Sequence, residues 1–136
     1  MEENIDKAVL EDAPWLDKLL KANQRAFGSL GGKELFWRLA LPGNANEHVL
    51  VIRPVAFVHY RRNRTGLRVV YEIAVDDKSK QRGLGSALMA AVGRPVMLRT
   101  DKDNEEANNF YKRIGLVVVG VAYKRDGRKL NVYQGW

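Results

Sequence analysis

The sequence predicts a mixed α/β fold in the order β-α-α-β-β-β-α-β-α-β-β, and three observations carry that prediction. Apolar residues recur at three- and four-residue spacing in some stretches and form short β-like runs in others. Gly, Pro and Asn/Asp signals punctuate the boundaries between them. No linker, repeat or low-complexity tract interrupts the 136 residues, so one domain spanning 1–136 is expected.

The elements follow in chain order. "IDKAVL" reads as a first strand. "EDAPWLDKLLKANQRAF" places Trp15, Leu16, Leu19 and Leu20 at helical spacing, with Asp12 as a cap ahead of Pro14. Glycines 28, 31 and 32 end that helix, and "KELFWRLAL" reads as a second short one. "HVLVIRPVAFVHYRR" gives two strands around Pro54, "NRTG" a turn, and "LRVVYEIAV" a further strand. Ser86 to Val92 is a short apolar helix that Gly93-Arg94-Pro95 stops. "PVMLRT" is strand-like, and "NEEANNFYKRI" is a helix ending at Gly115. "LVVVGVAYKR" and "KLNVYQ" flank Asp126-Gly127, a strong hairpin signal.

Composition excludes several chemistries. Hydrophobic residues make up 46% and charged residues 29%, the balance of a globular chain with a core. Cysteine is absent, which removes disulfides, thiol nucleophiles and thiolate metal sites; the pattern fits a cytoplasmic location. With His48 and His59 the only histidines, a His-rich zinc site is not expected, and no G-x-S-x-G occurs. No apolar run is long enough to span a bilayer, and "MEENIDKAVL" carries no secretory pattern, so no membrane association is expected. The formal charge of +7 favours anionic partners without choosing among them.

The stretch "DDKSKQRGLGSALMAAVG", residues 76–93, is the most informative. A strand, a glycine-bearing turn and a helix N-terminus together make an anion site, because first-turn N–H groups are unpaired and sit at the positive end of the helix dipole. Gly83 and Gly85 would let a phosphate approach the backbone, with Lys78, Lys80 and Arg82 adding charge. The alternative is a tight strand-to-helix turn and nothing more. Neither a Rossmann fingerprint nor a P-loop fits: no third glycine follows, and no G-K-[ST].

"EIAVDDKSKQRGLGSALM" resembles motif A of the GCN5-related N-acetyltransferase (GNAT) family, in which a central strand runs into Q/R-x-x-G-x-G/A and a helix. Lys80 stands at the Q/R position. "NEEANNFYKRIGL", residues 104–116, is similar to the family's N-x-x-A-x-x-F-Y-x-x-x-G-F, with Leu116 in place of the final Phe. The element order matches as well. The resemblance implies a central, mostly antiparallel sheet splayed between its fourth and fifth strands, with acetyl-CoA as co-substrate and no metal.

The resemblance also implies roles. Backbone groups of Ile73, Ala74 and Val75 would hold pantetheine. The turn of Lys80, Gln81, Arg82, Gly83, Leu84, Gly85 and Ser86 would hold the pyrophosphate. Asn104, Ala107, Phe110 and Tyr111 would line the cofactor from the following helix. Tyr111 would be the general acid for the departing thiolate, and Glu72 the base, with a water relay or His59 as alternatives. Strand alternation puts Glu72 and Val75 on opposite faces unless a bulge intervenes.

The implied activity is acetyl transfer from acetyl-CoA to a primary amine by direct attack in a ternary complex. The rival readings are a CoA-binding member without transfer activity and a basic nucleic-acid-binding protein on the same fold. The run "HYRRNRTGLR" holds four arginines but one aromatic, Tyr60, so it reads as a solvated hairpin tip and nucleic acid is not expected as a partner. A homodimer stays open, and no motif names the acceptor amine.

Overall fold

The computed structural model describes residues 4–22 and 46–136. Seven strands form one sheet: β1 (Asp6–Lys7), β2 (Glu47–Ile52), β3 (Ala56–Arg62), β4 (Arg68–Val75), β5 (Val96–Asp101), β6 (Val117–Tyr123) and β7 (Lys129–Gly135). Three helices accompany them among the described residues: α1 (Ala13–Ala22), α2 (Leu84–Val92) and α3 (Glu105–Arg113). Spatial order is β1-β2-β3-β4-β5-β7-β6. Every neighbouring pair is antiparallel except β4 and β5, which are parallel. The expected second helix, at 33–41, lies outside the described residues.

The β4–β5 pairing is brief. It covers Arg68↔Val96, Val69↔Met97 and Val70↔Leu98, and beyond that the strands part. The sheet is therefore splayed, as expected. The divergence exposes β4 main-chain groups from Tyr71 onward to a gap rather than to a neighbouring strand.

Each face buries a different set. On one, α2 and α3 pack Leu84, Leu88, Met89 and Tyr111 onto Val58, Val70, Ile73, Leu98 and Tyr133. On the other, Leu16, Leu19 and Leu20 of α1 cover Val49, Val51, Phe57 and Ala74. Alternating residues of one strand, Ile73 and Ala74, thus feed different clusters. No described helix is long and apolar enough to cross a membrane.

Several elements differ at their edges from the sequence expectation. The first strand shrinks to Asp6–Lys7. Asp12 does not cap α1 in the simple sense: its carboxylate accepts from Val9 N–H at 2.8 Å, from the Trp15 indole at 2.9 Å and from Arg53 Nε at 2.8 Å. It thereby ties the entry of α1 to the end of β2. Helix α2 starts at Leu84 rather than Ser86, because Gly83 takes the capping position itself.

Candidate active site

The turn from β4 into α2 is shaped by left-handed backbone. Gln81 has φ 68° and Gly83 φ 76°. A side chain at 83 would meet no atom within 4 Å, so glycine is required there for conformation, not space. Gly85 is different. A Cβ there would lie 3.1 Å from Cζ of Phe110, so its glycine lets α2 approach α3 closely. The first intrahelical bond runs from Ala87 N–H to Gly83 O, leaving the amides of Leu84, Gly85 and Ser86 as the orphan donors of the first turn.

Lys80 fastens this turn. Its ammonium pairs with Asp77 at 3.0 Å and with Glu106, in the first turn of α3, at 3.1 Å. These partners raise its pKa, the Asp77 bond contributing most. Lys80 thus ties the turn ahead of α2 to the first turn of α3. Leu116, the other departure from the family pattern, is buried in the α2–α3 cluster and serves as an ordinary core residue.

On α3, Asn104 caps the helix: its side-chain oxygen accepts from Ala107 N–H at 3.1 Å. Its amide nitrogen is the group left to reach a ligand. Ala107 and Phe110 are partly buried against the cluster. Tyr111 is 2% exposed, with its ring 5.5 Å from that of Tyr133 and 5.3 Å from that of Phe110. Burial pushes the Tyr111 phenol well above its usual pKa, and Tyr133 adds to the shift.

The organising role of one residue was not visible in the sequence, although its spacing puts it on the helix face of Asn104 and Tyr111. Asn108 donates to Asn104 O at 2.7 Å and to Asp101 O at 3.0 Å, and it accepts from Asn131 Nδ2 at 2.9 Å and Tyr133 OH at 2.6 Å. It joins α3 to β5 and β7, and it commits the Tyr133 hydroxyl, which distinguishes that tyrosine from Tyr111. Two of its partners, Asn131 and Tyr133, lie on a strand more than twenty residues away.

Glu72 stands on the opposite face. Its register partner is His59, itself fully buried, with Nε2 2.7 Å from Glu47 Oε2. A bulge does exist on β4, but at Tyr71: Tyr60 pairs with Val70 and His59 with Glu72. Because it precedes Glu72, the alternation from 72 to 75 is intact. Glu72 shares a side with Ala74, while Ile73 faces the Tyr111 cluster. The extra residue brings Tyr71 against His59, with ring centroids 5.2 Å apart. Glu72 is 1% exposed.

Where β4 and β5 separate there is a cleft of about 400 Å3, bordered by Val69, Tyr71, Met97, Arg99 and Lys124. The sequence-predicted residues therefore surround a break in the sheet: strand backbone 73–75 along one edge, the glycine turn beyond its end, Tyr111 on one face and Glu72 on the other. An extended ligand can meet these exposed strand groups as a neighbouring strand would. The arginine-rich run is only partly a free hairpin tip, since Arg68 Nη1 donates to Arg94 O at 2.7 Å.

Comparison with known proteins agrees with this geometry. The family model for the acetyltransferase (GNAT) domain matches residues 45–117. A 5-NmdU N-acetyltransferase from Pseudomonas phage PaMx11 is 34% identical over 73 residues, and the chain spans about half the length of that curated relative, 51%. Among solved structures, a GNAT-family acetyltransferase from Desulfovibrio desulfuricans superposes with TM-score 0.78 at 21% identity, covering 97% of each chain. Arabidopsis thaliana NAA60 in complex with acetyl-CoA superposes with TM-score 0.77 at 16% identity, covering 98% of each chain. Matched in sequence over more than half its length, including the glycine turn and the α3 motif, the chain belongs to the GNAT acetyltransferase family.

Proposed function

We propose that the protein transfers an acetyl group from acetyl-CoA to a primary amine by direct attack within a ternary complex. The observation that carries the reading is the break between β4 and β5, with one buried proton-handling side chain on each face of it. Bound acetyl-CoA would supply the thioester carbonyl that the amine attacks. Main-chain groups of Ile73 to Val75 hold its extended arm, and the amides of Leu84, Gly85 and Ser86 hold its pyrophosphate.

An ammonium has no lone pair, so Glu72 accepts a proton from the amine, directly or through water. The new C–N bond forms as the C–S bond breaks, and the electron pair leaves with sulfur. Tyr111 gives its hydroxyl proton to that sulfur, and its phenolate takes up the second proton that the nitrogen sheds as it becomes an amide. Its raised pKa keeps the phenol protonated until then. A dimer would form through β6, whose outer edge has no strand neighbour among the described residues and which carries Val117, Val119, Val121 and Tyr123, all exposed.

The test is binding followed by turnover. Acetyl-CoA at about 100 times its dissociation constant should stabilise the fold by about 2.7 kcal/mol. Free thiol release should then follow with at least one amine of a panel. The acceptor named for the phage relative, 5-NmdU, is the first to try. No thermal shift at millimolar acetyl-CoA would overturn the reading.

A further inference from the structure

Thr100 of β5 is a buried polar residue at the break in the sheet. It is 3% exposed, and its hydroxyl has no hydrogen-bond partner among the described residues. Buried polar atoms are normally paired, because desolvating one without a partner costs stability. The polar side chains beside it follow that rule. Asn131, its register partner on β7, donates to Asn108 Oδ1 at 2.9 Å, and the Tyr133 hydroxyl donates to the same oxygen at 2.6 Å. Valine has nearly the shape of threonine and would fill position 100 without that cost.

Register locates the hydroxyl. Val70 and Leu98 form the last pair of the parallel stretch, and both are buried in the Tyr111 cluster. Two residues further along β5, alternation returns Thr100 to that face. Along β4 the return takes three residues, because of the bulge at Tyr71, and it brings Ile73. Ile73 and Thr100 are therefore the first residues on the Tyr111 face after the strands part. Thr100 also lines the cleft between the strands.

In the acetyl-transfer reading, on which this inference rests, the pyrophosphate sits on the amides of Leu84 to Ser86, beyond the end of β4. The arm then runs back along Val75, Ala74 and Ile73, and its sulfur end arrives at the narrow end of the break, opposite Thr100. The face there is apolar, with Val70, Ile73, Leu98 and Tyr111 on it, so it suits a neutral partner and not an ion. The arm carries such a group beside its sulfur, an amide. An amide carbonyl accepts a hydrogen bond better than a thioester carbonyl, because nitrogen gives its oxygen more electron density than sulfur does.

We infer that Thr100 is a positioning residue: its hydroxyl donates to the carbonyl of the pantetheine amide nearest the sulfur and so fixes the thioester at the narrow end of the break. The hydroxyl is paired when the cofactor is bound, and its cost falls on the free protein.

Thr100→Val and Thr100→Ser test this in two measurements. The first is thermal unfolding of the free protein. Thr100→Val should equal or exceed wild type in Tm, since it loses no bond. The second is titration calorimetry with CoA, with acetyl-CoA and with 3′-phosphoadenosine 5′-diphosphate, which keeps the nucleotide and its phosphates but lacks the arm. Thr100→Val should bind CoA and acetyl-CoA about 10-fold more weakly and the armless nucleotide as wild type does. Thr100→Ser keeps the hydroxyl and should bind all three as wild type does.

Equal CoA affinity in wild type and Thr100→Val would overturn the inference. A lower Tm or a failure to fold in Thr100→Val would also overturn it, because the hydroxyl would then be bonded within the free protein. A loss shared by the armless nucleotide, or confined to acetyl-CoA, would do the same. Failure of the acetyl-transfer reading looks different. Without CoA binding by wild type, both fall together. With CoA binding but no thiol release from any amine, the transfer reading falls alone and the Thr100 comparison still decides.

Discussion

Tyr111 and Glu72 are nearly equally buried, 2% and 1% exposed, yet they stand on opposite faces of the sheet among opposite neighbours. Tyr111 lies among aromatic and aliphatic side chains from α2, α3, β4 and β7. Glu72 lies beside a histidine already engaged by Glu47. The apolar face keeps a phenol protonated, and the polar face can hold a carboxylate. Had both groups shared one face, a neutral acid and an ionised base would have needed one environment to do two things. In the proposed reaction, the parting of β4 from β5 would let each approach the reacting atoms from its own side.

The strongest way to break this comparison is to remove one hydroxyl. Tyr111→Phe keeps the ring packing, so acetyl-CoA affinity and Tm should hold while kcat falls about 10²–10⁴-fold. Unchanged kcat with rate-limiting chemistry would return Tyr111 to the core. A joint fall in affinity and Tm would make the hydroxyl a structural group.

The matching change on the other face should behave differently. Glu72→Gln should lower kcat about 10²-fold for an alkyl amine that is protonated at the assay pH. For a nucleophile that is already neutral, such as hydroxylamine, the loss should shrink to a few-fold. Equal losses for both nucleophiles would mean that Glu72 supports the site without taking a proton.

Asp12 sharpens the contrast, because it is a buried carboxylate with a purely structural role. Asp12→Ala removes bonds to Val9 N–H, Trp15 and Arg53 and should cost about 2 kcal/mol, read by denaturant unfolding, with acetyl transfer unchanged. Burial raises the Asp12 pKa, but Arg53, the Val9 amide and Trp15 outweigh it and hold the carboxyl below its usual value. Its contribution is therefore complete above about pH 3.9 and is lost as pH falls through the folded-state value. The stability gap between wild type and variant should start to narrow as pH falls below about 3.9 and close only below the lowered folded-state value. A gap that persists there would assign the effect to packing.

The two glycines of the turn give the smallest effects and separate conformation from contact. Gly83→Ala forces φ 76° on an alanine and should cost about 1 kcal/mol wherever it is measured. Gly85→Ala meets Phe110 instead, so Phe110→Leu should recover most of its loss and should do nothing for Gly83→Ala. Rescue of both, or of neither, would show that the two positions are not distinct.

Much of this was legible in the chain. Helical spacing in 104–114, the β-runs around Pro54 and the Asp126-Gly127 turn are local patterns, and each became the element expected. The glycine turn was equally visible, since a left-handed residue ahead of a helix is a property of one position. Spacing along α3 likewise put Asn108 and Tyr111 on one buried face. These readings held because a few neighbouring side chains and one backbone conformation decide them. What each glycine does was not legible: Gly85 answers to Phe110, twenty-five residues on.

Tertiary structure alone decided the rest. Which way Glu72 points depends on a bulge at Tyr71, visible only as a mismatch between two strands. That Lys80 closes a clamp to Glu106 depends on α2 and α3 lying side by side. The cleft joins residues 71 and 99 of two strands to Lys124 of the β6–β7 turn, through a sheet order that sets β7 between β5 and β6. Local sequence encodes backbone preference and periodicity within a few residues. Register, splay and the charge around a cleft arise between segments distant in the chain, where only packing brings the groups within reach of one another.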